Sequence, residues 1–193
     1  MKFFYRLWYI LVYPFFHIFY RLNVKGRENI PEGAALICAN HSAYSDPLVI
    51  AFAFGIKYFM RFMAKIELMR IPVFGFLLKI AGTFGVNRGK SDVQAIKTAL
   101  QTLKSGEKVA MFPEGTRVSE SDAASAKTGA ILLASKTGAP IVPVYIPRKK
   151  KRFSTIDVVI GEPYVIERIK GGGSEVYSVY ADELMKKIEA LKP

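Results

Sequence analysis

His41 and Asp46 stand five positions apart in the run Asn40-His41-Ser42-Ala43-Tyr44-Ser45-Asp46. An imidazole at that distance from a carboxylate can serve as a base for a hydroxyl proton. The carboxylate would fix the ring tautomer and stabilise the imidazolium. Further along, Phe112-Pro113-Glu114-Gly115-Thr116-Arg117 sets a carboxylate and a guanidinium three apart on a Pro/Gly turn. Gly115 permits a tight backbone there, and the planar fork of Arg117 suits a phosphate. The two blocks together hold what ester formation on a phosphorylated alcohol needs, with the alcohol in place of a serine nucleophile. Each also has a plain structural reading. Asp46-Pro47 makes a good helix start, with Asp as the cap and Pro at the first helical position, and the second block reads equally as a surface turn with a solvated ion pair.

The elements that must position these residues alternate along the chain. Apolar runs at 34–39, 58–64, 83–87, 109–112 and 141–146 read as short strands, and 154–160 alternates as an outer strand. Helical patterns fall between them: 47–54, 73–81, 92–104 with a capping box on Ser91 and Gln94, 127–137, and 175–191. This alternation predicts an α/β fold, a single domain over 26–170 with a mixed, largely parallel sheet flanked by helices. His41 and the Glu114 turn would then both lie beyond the carboxyl ends of strands, where open α/β sheets bind ligands. Gly171-Gly172-Gly173 reads as a hinge, making 171–193 a C-terminal segment whose amphipathic helix packs on the domain.

Composition bears on partners. The chain has 193 residues, is 51% apolar and 13% aromatic, and carries a net charge of +12, which calls for an anionic partner. Residues 1–25 form an aromatic helix whose basic flanks suit a membrane interface better than a nucleic acid, because Trp and Tyr favour the headgroup zone while Lys and Arg snorkel to phosphates. Its uncharged stretch, Leu7 to Tyr20, would reach only about 21 Å as a helix, against about 30 Å of hydrocarbon. The expectation is a helix embedded in one leaflet, with a single tilted span as the alternative. The basic run Arg148-Lys149-Lys150-Lys151-Arg152 reads as a solvated loop facing anionic lipid or an acidic carrier protein. One cysteine, Cys38, allows no internal disulfide and reads as packing. Two distant histidines make no metal set, and no cofactor is called for.

The blocks at 40–46 and 112–117, with Gly82-Thr83-Phe84-Gly85-Val86-Asn87-Arg88 and Ala139-Pro140-Ile141-Val142-Pro143-Val144-Tyr145-Ile146, resemble the glycerolipid acyltransferase family and within it the 1-acyl-glycerol-3-phosphate acyltransferases. The resemblance spans about residues 26–146 and departs from the family at Val118 and Ala126. It implies acyl transfer from acyl-coenzyme A or an acyl-carrier protein to the 2-hydroxyl of a lysophosphatidic acid at the cytoplasmic face of a membrane. His41 and Asp46 would be catalytic. Arg88, Glu114, Gly115, Thr116, Arg117 and Lys127 would bind the acceptor. A lyso-ornithine lipid or lysophospholipid acceptor stays open, as does a non-catalytic basic protein binding membranes or nucleic acid.

Overall fold

The computed structural model describes residues 2–87, 92–118, 126–169, 171 and 173–193. Seven strands form one sheet: β1 (Tyr20–Lys25), β2 (Ala35–Ala39), β3 (Met60–Lys65), β4 (Phe84–Val86), β5 (Lys108–Met111), β6 (Ile141–Tyr145) and β7 (Ser154–Ile160). Their order is β1-β7-β6-β2-β5-β3-β4, and every named pairing is parallel except β6 with β7. The mixed, largely parallel sheet expected from the alternation is the sheet observed.

Strand residues alternate between two apolar layers, as the period of two requires. Ala35, Ile37 and Ala39 of β2 face a core shared with α1 (Lys2–Phe19) and α2 (Asp46–Phe54). Leu36 and Cys38 face the opposite layer, built on α5 (Val93–Lys104), α6 (Gly129–Thr137) and α7 (Ser174–Ala190). Burial pushes the Cys38 thiol up in pKa, which suits packing and not nucleophilic attack. Two short helices, α3 (Ile66–Met69) and α4 (Phe74–Ile80), lead from β3 to β4.

Two boundaries differ from the sequence reading. The aromatic segment is helical through Pro14 but stops at Phe19, and Tyr20–Lys25 is a strand paired with β7. Its alternating burial was masked by the aromatic run before it. In α5 the cap is Asp92, whose Oδ1 accepts from the Ala95 amide at 2.9 Å and whose Oδ2 accepts from the Asn87 amide at 2.8 Å; Ser91 lies outside the described residues.

The aromatic helix is divided lengthwise. Tyr5, Tyr9 and Phe16 are buried, with rings packed on Phe52 and Phe59. Phe3, Phe4, Leu7, Ile10, Leu11 and Phe15 are exposed. No helix among the described residues is long and apolar enough to cross a membrane.

Candidate active site

β2, β5 and β6 are neighbours in the sheet and run parallel, so their carboxyl ends open together. The loop after β2 carries His41 and Asp46, the turn after β5 carries Glu114 to Arg117, and the loop after β6 carries Arg148 and Lys150. Asn40 locks the first and last of these ends in register. Its amide Nδ2 donates to the Ile146 carbonyl at 2.7 Å, and its Oδ1 accepts from the Ile146 amide at 2.8 Å.

His41 Nδ1 lies 2.9 Å from Asp46 Oδ2. The same oxygen accepts from the amides of Ser42 at 2.7 Å and Ala43 at 2.8 Å. Asp46 is part of the first turn of α2, but the cap position falls to Ser45, and the carboxylate turns back into the loop instead of capping the helix. Burial pushes the Asp46 carboxyl up, but the His41 hydrogen bond, the Lys150 ammonium and the two amides together hold it below the usual carboxylate range. The imidazole lies flat on the Phe112 ring, with centroids 4.0 Å apart and planes 16° apart. Asp46 as acceptor assigns the proton to Nδ1 and leaves Nε2 with a free lone pair.

Glu114 is turned inward, at 2% exposure. Oε2 accepts from the His41 backbone amide at 2.8 Å, and Oε1 accepts from Arg148 at 2.8 Å. Burial pushes this carboxyl up against the pull of Arg148 and the His41 amide. The turn itself has Gly115 at φ +69, where a Cβ would come within 3.1 Å of the Lys127 stem. The Gly115 amide donates to Phe112 O at 3.0 Å, and the Lys127 amide donates to Pro113 O at 2.8 Å. Thr116, Arg117 and Lys127 are exposed at the surface of this turn. The Arg117 guanidinium rests 3.6 Å from the Tyr44 ring centroid, so it sits over the His41 loop. Arg88 lies outside the described residues.

The basic run after β6 corrects an expectation. Two of its members are drawn inward instead of being solvated. The Arg148 side chain is 10% exposed and the Lys150 side chain 3%. Arg148 also donates to the Val118 carbonyl at 3.2 Å and to Glu189 of α7 at 2.6 Å, while Lys150 Nζ lies 2.9 Å from Asp46 Oδ1. Lys151 and Arg152 remain exposed. A signal for this was available: two carboxylates buried beyond strand ends demand cations, and this run follows the strand beside β2. Val118, a departure from the family pattern, is buried and donates its amide to His41 O at 2.8 Å.

A family profile described as Acyltransferase matches residues 21–147, which takes in every strand from β2 to β6, all but the first residue of β1, and the whole His41–Asp46 loop. The chain belongs to the acyltransferase family. This acyltransferase is 32% identical over 185 residues to the 1-acyl-sn-glycerol-3-phosphate acyltransferase of Borreliella burgdorferi, covering 89% of the present chain and 73% of that one. It is 36% identical over 149 residues to the enzyme of the same name from Bacillus subtilis, covering 74% and 73%. Among solved structures, the 1-acyl-sn-glycerophosphate (LPA) acyltransferase PlsC of Thermotoga maritima superposes with a TM-score of 0.70 at 25% identity, covering 97% of the acyltransferase and 78% of that chain.

Proposed function

We propose that this acyltransferase esterifies the 2-hydroxyl of a 1-acyl-glycerol-3-phosphate, taking the acyl group from a thioester of coenzyme A or of an acyl-carrier protein. The observation that carries the reading is the His41 Nδ1 to Asp46 contact of 2.9 Å at the carboxyl ends of the central strands. With Nδ1 donating, Nε2 takes the acceptor's hydroxyl proton as that oxygen attacks the thioester carbonyl. Asp46 stabilises the imidazolium. A C–O bond forms, the C–S bond breaks, and the proton passes from Nε2 to the departing thiolate, giving phosphatidic acid and a free thiol.

Arg117 is assigned to the acceptor phosphate, supported by its exposure over Tyr44 three residues from His41, with Arg88, Thr116 and Lys127 assigned to the same acceptor. Gly115 shapes the turn that presents Thr116 and Arg117. Glu114 serves the acceptor indirectly, by holding the His41 amide and Arg148, since both its oxygens are engaged within the protein. The exposed aromatic face of α1 and the chain's positive charge support a monotopic seat on an anionic membrane surface, where the acyl chain of the acceptor is sheltered from water.

The test is acyl transfer by the full chain in detergent, with lysophosphatidic acid set against a monoacylglycerol and each thioester donor in turn. Losing one charge-assisted phosphate bond costs about 1.5–3 kcal/mol, so monoacylglycerol should react at least about tenfold more slowly. Equal rates on the two acceptors would refute the phosphate assignment.

A further inference from the structure

Among the described residues, the most completely enclosed cation near the site is the Lys150 ammonium, on a side chain 3% exposed. An ammonium has three protons to place, and three acceptors surround this one. Lys150 Nζ donates to Ser42 Oγ at 2.9 Å and to the Pro147 carbonyl at 2.6 Å, and it pairs with Asp46 Oδ1 at 2.9 Å. Ser42 Oγ in turn donates to the Arg148 carbonyl at 3.0 Å, which ties the lysine's own loop to the His41 loop. A lysine with two hydrogen bonds and an ion pair inside the protein, and almost no solvent contact, is not arranged to grip a substrate phosphate.

We propose that Lys150 is a positioning residue for the acyl transfer: it fixes the far oxygen of Asp46, and its charge offsets that of the carboxylate and tempers the carboxylate's pull on the imidazole proton. This rests on His41 acting as the base. A base beside a buried, unopposed carboxylate holds its proton too firmly to be free at the pH where it must act. Lys150 supplies the counterweight at Asp46 Oδ1, the carboxylate oxygen that His41 does not engage. Among the described residues, the other charged groups around the pair are Glu114, which accepts from the His41 amide, Arg148, which neutralises Glu114, and Arg117 over Tyr44. None of these is paired with Asp46, so the offset falls to Lys150.

The experiment is the pH profile of kcat/KM for the full chain in detergent, comparing wild type with Lys150→Met, Lys150→Gln and Lys151→Met. The last removes an equal charge from an exposed neighbour. For both Lys150 variants the acid limb should move to higher pH by about one unit. That is about a tenfold loss of rate on the limb, with a smaller loss at alkaline pH and little change in acceptor KM. Lys151→Met should keep the wild-type limb. A uniform loss at every pH, a limb moved downward, or an equal shift in Lys151→Met would overturn the assignment. Failure of both Lys150 variants to fold beside a sound Lys151→Met would overturn it too, since a merely structural lysine behaves that way. His41→Ala run in parallel separates the two claims. If it retains full activity, the base reading itself falls. If it is inactive while the limb stays put in the Lys150 variants, only the role of Lys150 falls.

Discussion

At the residue scale, the proposed chemistry rests on one ring nitrogen held by one buried carboxylate. His41→Ala should lower kcat by about 10²–10⁴-fold with thermal unfolding little changed, because the imidazole packs on Phe112 but holds no element in place. Asp46→Asn should lose much of the rate as well, and it also carries a stability signature. The folded-state value of Asp46 is depressed. Its ionised form therefore favours the fold, fully so above an unfolded value of about 4, with the contribution lost as pH falls through the lower folded value. Denaturant titrations should show a stability gap between wild type and Asp46→Asn at neutral pH that narrows below about pH 4. A gap independent of pH would mean that charge on Asp46 does not contribute. The His41–Asp46 pair was legible in the sequence because both members lie in one short loop, where spacing alone constrains their meeting. Lys150 was not, because a cation that neutralises Asp46 from another strand's loop is adjacent only after the sheet has formed. A run of five basic residues gives no local cue to which of them turns inward.

At the element scale, the site is a junction of strand ends, and Arg148 joins it to α7. The guanidinium spans the buried Glu114 carboxylate and the half-exposed Glu189 carboxylate, and the two ends should differ in worth. Glu189→Ala removes a contact open to water and should cost about 0.2–1 kcal/mol. Glu114→Ala leaves Arg148 without its buried partner and the His41 amide without an acceptor, at about 3–5 kcal/mol. Thermal denaturation of the two variants checks the contrast, and equal effects would show that Glu114 is not the structural centre of the turn. The sheet itself was largely visible in advance, since β2 to β6 lie on apolar runs and β7 on an alternating one, although β7, expected as an outer strand, lies between β1 and β6. β1 escaped because its alternation, Leu22 and Val24 inward, abuts an aromatic segment that reads as one helix.

At the scale of the whole molecule, α1 is both a wall of the core and an outward apolar face. Removing it would strip Tyr5, Tyr9 and Phe16 from Phe52 and Phe59, so truncation should unfold the domain and would not reveal a soluble enzyme. Replacing only outward residues, Phe4, Leu7, Leu11 and Phe15 with Ser, should spare the fold and release the protein from anionic vesicles in high salt. Sedimentation with vesicles, read beside circular dichroism, checks this; a folded variant that stays bound would place the membrane seat elsewhere, on Phe74, Phe76 and Leu77. The pairing of β1 with β7 has a consequence in time. Asn23 donates to Asp157 at 2.7 Å across 134 residues of chain, so the edge of the sheet next to α1 cannot close until most of the polypeptide has left the ribosome. Contacts so distant along the chain form late. The aromatic helix thus emerges first and waits, with both of its apolar faces bare. In that interval a bilayer can shelter them, and the nascent chain should reach the membrane before it finishes its own core.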